Sequence, residues 1–171
     1  MLNLTFAVKE IDTDTLALKL HNGFRIVFGV LAVIILSSLI VTASDQGGGL
    51  LPIILVVVFT LIALYNESWY FHKSDGVIKH LHGLVMLSAS TTFAAEDVES
   101  VEVKSFRKGS VSSQPGQKKR FFQRDLLTLS LIFSEGGKKD IEITEAKNKT
   151  ALQRKAAAIS DFMNISYHSE A

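Results

Sequence analysis

Residues 26–65 read IVFGVLAVIILSSLIVTASDQGGGLLPIILVVVFTLIALY. Ile26 to Ala43 and Leu50 to Tyr65 are charge-free apolar runs, and the link between them, Ser44 to Gly49, carries Asp45 but no Lys or Arg. A helix needs about 17 to 25 residues to cross a bilayer core, and each run is near that length. So short a link predicts a tight antiparallel transmembrane hairpin over residues 24–66, with both chain ends on one side. Gly47-Gly48-Gly49 reads as its turn, because no Gly-Lys-Ser/Thr follows as a phosphate loop requires. Pro52 falls in the first turn of the second helix, where its missing N–H is harmless. A cleaved signal peptide is the rival account of the first run, with Val41, Thr42 and Ala43 as small residues near a cleavage point. Against it, the run exceeds the roughly 7 to 15 residues of a signal core, and it follows a segment patterned like folded structure.

The distribution of cations sets the orientation. Lys19 and Arg25 precede the first apolar run and Lys73 and Lys79 follow the second, so the positive-inside rule places both termini in the cytoplasm. Tyr65, Trp69 and Tyr70 stand where the second helix leaves the bilayer, a membrane-interface position for aromatics; equally, Trp69 reads as a core residue of the next strand. Between Ile26 and Tyr65 the only ionisable residue of the Asp, Glu, Lys, Arg and His set is Asp45 in the link. Transport pathways and proton relays use such groups within the membrane, so the pair reads as an integral anchor in the bilayer and not as a pore. Gly23, Gly29 and Ala32 permit close helix packing, and homo-oligomerisation stays open, although the first helix has no strict GxxxG motif.

The chain has 171 residues, 47% of them hydrophobic, and a formal net charge of +1. Beyond the hairpin there is room for one domain of about 100 residues. The absence of Cys excludes disulfides, thiolate metal sites and thiol catalysis.

Ahead of the membrane segment, Leu2, Leu4, Phe6 and Val8 alternate with polar residues, and Leu16, Leu18 and Leu20 resume the pattern after Asp12-Thr13-Asp14-Thr15. This predicts a cytoplasmic β-hairpin over residues 1–23. Two strands alone are marginal in water, and the C-terminal domain on the same membrane side is the candidate surface; whether the hairpin completes that domain's sheet stays open. From Glu67 the sequence turns to short strands: Trp69 to His72, a Lys73-Ser74-Asp75-Gly76 turn, Val77 to Leu87 interrupted at Gly83, Thr91 to Ala95, Val98 to Val103, and Leu126 to Phe133 and Ile141 to Ile143 joined across a Ser134-Glu135-Gly136-Gly137-Lys138 hairpin turn. Leu152, Ala156, Ile159 and Met163 then form one helical stripe with Lys147, Arg154, Lys155 and Asp161 off it. A helix over about 146–163 is expected to cover one open end of a curved antiparallel sheet or barrel. Residues 67–166 form that mainly β domain, and 167–171 a tail.

The quoted elements, Trp69-Tyr70-Phe71 with Ser74-Asp75-Gly76-Val77-Ile78, the Ala95-Glu96-Asp97-Val98-Glu99-Ser100-Val101 strand entry, the Leu127 to Phe133 strand and the helix ending Phe162-Met163-Asn164-Ile165, resemble the bacterial membrane-anchored pleckstrin-homology-like domain proteins. The order of elements is also similar to the two-span photosystem I assembly protein family. The resemblance covers roughly residues 24 to 166 and implies a pleckstrin-homology-like fold, a bacterial inner-membrane location and a binding platform instead of an enzyme.

The strongest functional candidate is the stretch Lys104 to Arg124, whose cations Lys104, Arg107, Lys108, Lys118, Lys119, Arg120 and Arg124 are accompanied by no acid. Phe106, Phe121 and Phe122 are interleaved with them. Each cation near a cytoplasmic leaflet gains about 1 kcal/mol from anionic lipid, so Arg107, Lys108, Lys118, Lys119, Arg120 and Arg124 are the predicted lipid- or partner-binding residues. The bland alternative is a solvated loop whose cations only enforce topology. Nucleic acid is not an expected partner, since Glu96, Asp97, Glu99 and Glu102 flank the patch. His80 and His82 share a strand face at a spacing able to bind metal, but no third ligand is apparent, and exposed or interfacial histidines are the expected role. Asp12 and Asp14 read as turn residues instead of an acid/base pair. No catalytic, metal or cofactor site is read from the sequence. The expected function is a non-enzymatic scaffold or assembly factor that binds a membrane-protein partner or anionic headgroups; the alternative is an accessory subunit of a membrane complex, contacting it through the helices.

Overall fold

The computed structural model describes residues 5–46, 50–108 and 124–170, without side chains for 42–46, 108 and 124. The Asp12–Asp14 turn forms as the sequence predicts. It joins strands β1 (Phe6–Asp12) and β2 (Thr15–Leu20), which pair antiparallel with Phe6 opposite Leu20 and Val8 opposite Leu18. Helices α1 (Asn22–Gln46) and α2 (Leu50–Leu64) follow, and then β3 (Tyr65–His72), β4 (Val77–Leu84) and β5 (Leu87–Ala94).

Strand β2 pairs with β3 across the helical insertion, Leu16 opposite Phe71 and Leu18 opposite Trp69. The N-terminal hairpin is thus built into a five-stranded sheet of order β1-β2-β3-β4-β5. This resolves the open question of its role: the pair of strands obtains a third strand and an apolar face. At the far end, Asp14 ties the β1–β2 turn to the β3–β4 turn, accepting from the Ser74 N–H at 2.9 Å and from its hydroxyl, while its carbonyl accepts from the Lys73 N–H.

A second sheet, of order β8-β7-β6-β9, is made by β6 (Val98–Lys108), β7 (Arg124–Phe133), β8 (Lys138–Glu145) and β9 (Ser166–Glu170). Helix α3 (Lys149–Met163) lies between β8 and β9 in the chain and packs on β6, β9, β3 and β7. Its stripe behaves as expected, with Leu152, Ala156 and Ile159 buried. Asn164 in the left-handed conformation, φ 56°, ends it. The core joins Leu16, Leu18, Trp69, Phe71 and Ile78 of the first sheet to Val101, Val103, Leu129 and Leu131 of the second.

Three expectations are corrected. First, a two-helix transmembrane hairpin is not shown. Asn22–Val41 is the one candidate membrane span by length and apolarity among the described residues. Helix α2 has 15 residues, which at 1.5 Å each rise only about 22 Å, short of the roughly 30 Å hydrocarbon core. The reason is local: the sheet claims Tyr65 at the end of the second apolar run as the first residue of β3. Second, the single curved sheet or barrel closed by a C-terminal helix is instead two sheets, and the supposed tail is mostly β9, which runs parallel to β6 with Tyr167 opposite Val101. Third, Lys155 is not simply off the apolar stripe. A register shift between Leu129 and Ser130 accompanies burial of both Ile141 and Glu142 on β8, and Lys155 Nζ donates to the Glu142 carboxylate at 2.7 and 2.9 Å. The Phe6 N–H reaches the same carboxylate at 3.3 Å. One buried ion pair therefore ties β1, β8 and α3 together.

Candidate functional site

Period-two alternation puts Tyr65, Glu67, Trp69 and Phe71 on one face of β3 and Ile78, His80 and His82 on the facing side of β4. The register sets Trp69 opposite His80 and Glu67 opposite His82. Moving along these strands toward the helices, the apolar core gives way to a polar cluster beneath the end of α2. The Glu67 carboxylate accepts from His80 Nε2 at 3.0 Å and from the Tyr65 hydroxyl at 3.1 Å. His80 stacks between two rings, 4.0 Å from Trp69 and 4.9 Å from His82 by centroids.

With Glu67 as acceptor, Nε2 of the neutral imidazole carries the proton and Nδ1 is the lone-pair nitrogen. His80 Nδ1 is buried with no hydrogen-bond partner among the described residues, as are His82 Nδ1 and Trp69 Nε1. A second proton on His80 would be stranded there. Burial accordingly pushes His80 below its ordinary value; Glu67 pulls the other way, while His82 and Lys139 of β8 add to the depression. Tyr65 is pushed above its ordinary value by burial first and then by the Glu67 charge. The cluster places at the helix-side end of the sheet a histidine whose charged form burial disfavours. Among the described residues, no group of three or more His, Cys, Asp or Glu is placed to hold a metal.

The base of the helical pair is the other half of this region. Arg25 Nε of α1 donates to the Ala63 carbonyl of α2 at 3.1 Å, covering a C-terminal carbonyl with a cation. The Val85 N–H donates to the Leu64 carbonyl at 3.0 Å, which ties the β4–β5 turn to the same helix end. Phe28 and Phe59 meet between the helices with centroids 5.7 Å apart. Beyond these contacts the pair turns apolar side chains outward: Ile26, Val33, Ile34 and Ile40 of α1 and Leu50, Leu51 and Val57 of α2 are exposed.

Comparison with protein-family models and with curated proteins gives no match.

The residues singled out from sequence are dispersed. Tyr65 is half-buried and engaged with Glu67, and Trp69 is wholly buried in the core of the sheet. Tyr70 projects from the other face of β3, with Lys19 Nζ 5.4 Å from its ring centroid. The three aromatics do not form one girdle. His80 is buried, against the exposed or interfacial role expected for it. In the basic stretch, Arg107 pairs with Asp125 at 2.8 Å and Lys104 with Glu170 at 2.8 Å; these acids lie beyond Arg124, where a scan of the stretch alone does not see them. Lys118, Lys119 and Arg120 lie outside the described residues, as do the side chains of Lys108 and Arg124. An open depression near Asp125 and Glu145 is ringed by the same kind of paired charge, with Lys147 2.8 Å from Glu145.

Sequence reasoning missed Glu67 and the Glu142–Lys155 pair. Glu67 had a legible signal, its period-two relation to Trp69 on an inward face. Glu142 had none, because its burial accompanies a register shift.

Proposed function

We propose that this protein is a non-enzymatic membrane-anchored scaffold whose β body is held at one face of a bilayer, where it binds a membrane-protein partner or anionic lipid headgroups. The observation that carries the reading is the apolar helical insertion between β2 and β3. Its two ends return to adjacent strands of one sheet, and its exposed aliphatic surface has no covering protein among the described residues. Exposed apolar patches of that extent are stable in lipid and costly in water. The positive-inside distribution of Lys19, Arg25, Lys73 and Lys79 supports a cytoplasmic face of the bacterial inner membrane. Kinship with the membrane-anchored pleckstrin-homology-like proteins belongs to the same proposal and rests on the quoted sequence elements alone.

Between the two kinds of partner, the ion pairing of Lys104 and Arg107 within the β body favours a protein over a free cationic surface. The test is fractionation of the full chain, followed by alkaline carbonate extraction and purification in mild detergent. Retention in the membrane pellet together with a membrane protein at fixed stoichiometry supports the reading. Release by carbonate contradicts the anchor, and a chain that purifies alone and ignores lipid charge contradicts the scaffold.

A further inference from the structure

We infer that the β4–β5 tip, Val85-Met86-Leu87, is a second membrane contact that dips into the same leaflet as the C-terminal end of α2. The inference rests on the anchoring proposed above and adds a surface outside the helices. Val85, Met86 and Leu87 are 51%, 93% and 77% exposed, consecutive, and aliphatic or thioether in character. Two-residue hairpin turns ordinarily take Asn or Gly, for positive φ and for water. Here Val85 and Met86 occupy the turn between the paired Leu84 and Leu87, and neither has positive φ. Gly83 alone at this tip adopts positive φ, 137°. Solubility therefore argues against this sequence at a tip in water, and burial in an apolar phase removes that conflict.

Position identifies the occupant. The Val85 N–H bonded to the Leu64 carbonyl fixes the tip at the level where α2 ends and the sheet begins. A bilayer that received the helices would have its interfacial layer there. From Gly83 to Ala95 the chain carries no charge, and β5 is exposed over Leu87 to Thr92 with only Ser, Ala and Thr after Leu87. Charged groups, the usual protection of an edge strand against self-pairing, are missing from this edge. A charge-free tip beside the helix base can enter the boundary between headgroups and acyl chains, about 5–10 Å deep, with little electrostatic cost.

The chain contains no Cys, so a single introduced thiol is a unique label. Met86→Cys, Ile34→Cys on α1 and Thr13→Cys at the opposite end of the sheet are each labelled with an environment-sensitive fluorophore in the full chain, reconstituted in phospholipid nanodiscs. The inference predicts blue-shifted emission at residue 86, quenched by nitroxide on the lipid chain and spared by aqueous iodide, with residue 13 showing the reverse. Iodide quenching at residue 86 while residue 34 stays protected overturns the inference and leaves the helical anchor standing. Iodide quenching at both residues 34 and 86 overturns both.

Discussion

Replacing Lys155 with Met should destabilise the protein strongly, because it strands the Glu142 carboxylate. That carboxylate is 1% exposed and Lys155 is 14% exposed. The lysine supplies two charge-assisted hydrogen bonds, at 2.7 and 2.9 Å, and only the longer 3.3 Å contact from the Phe6 N–H would survive. Removing one partner of a buried pair costs about 3–5 kcal/mol, a large part of a typical total of about 5–15 kcal/mol. Methionine keeps the bulk of the lysine stem, so lost packing contributes little. Adding Glu142→Gln removes the stranded charge and keeps an amide oxygen for Phe6, which should return the deficit to about 1–2 kcal/mol. The chain's single Trp, wholly buried at position 69, reports unfolding by urea of the full chain in nanodiscs. A cost below about 1 kcal/mol for Lys155→Met, or a double variant no better than the single one, would refute the reasoning.

Three further outcomes follow from the same geometry. The unfolded chain binds a proton at His80 near 6.5, whereas the folded one does so only at lower pH; stability from this residue is therefore present above pH 6.5 and declines as pH falls below it. Urea midpoints across that range should drop on acidification, and His80→Phe should flatten the drop; a stability that rises on acidification through this range in the parent chain alone would contradict the assignment. Gly83→Ala places a Cβ 2.5 Å from the Leu87 carbonyl at φ 137°, which should cost about 1–3 kcal/mol in thermal or urea unfolding, and a neutral result would mean the turn is wrongly described. Finally, Lys118→Ser, Lys119→Ser and Arg120→Ser together should leave stability within about 0.5 kcal/mol of the parent and weaken association with anionic nanodiscs if headgroups are the partner; unchanged association removes these cations from the binding surface.

What the sequence made legible is what period and punctuation encode. The alternation at Leu16, Leu18 and Leu20, the Asp12–Asp14 turn and the stripe Leu152, Ala156, Ile159 all recur in the fold, because each is a local pattern that the core only has to accept. Pairings between distant segments were not legible: nothing near Leu18 states that Trp69 lies opposite it, and nothing near Val101 announces Tyr167. The length of α2 was misread because hydropathy cannot tell apolar residues that end a helix from those that open a strand, as at Tyr65. Glu142 escaped because a register shift breaks the alternation on which the reading depended. The polar cluster at Glu67 and His80 is half visible in the sequence, its histidines by spacing and its carboxylate by the period-two relation to Trp69, while their contact depends on strand register.

The proposed anchoring requires the β body to lie on one face of a bilayer that receives α1, the candidate membrane span. Single-thiol accessibility tests this most directly, with Thr13→Cys ahead of α1 and Glu135→Cys beyond α2 probed by an impermeant maleimide in sealed vesicles of known orientation. The two positions should react in inverted vesicles and be shielded in right-side-out ones. Reaction of the two positions in opposite preparations, or of both in each, would contradict it.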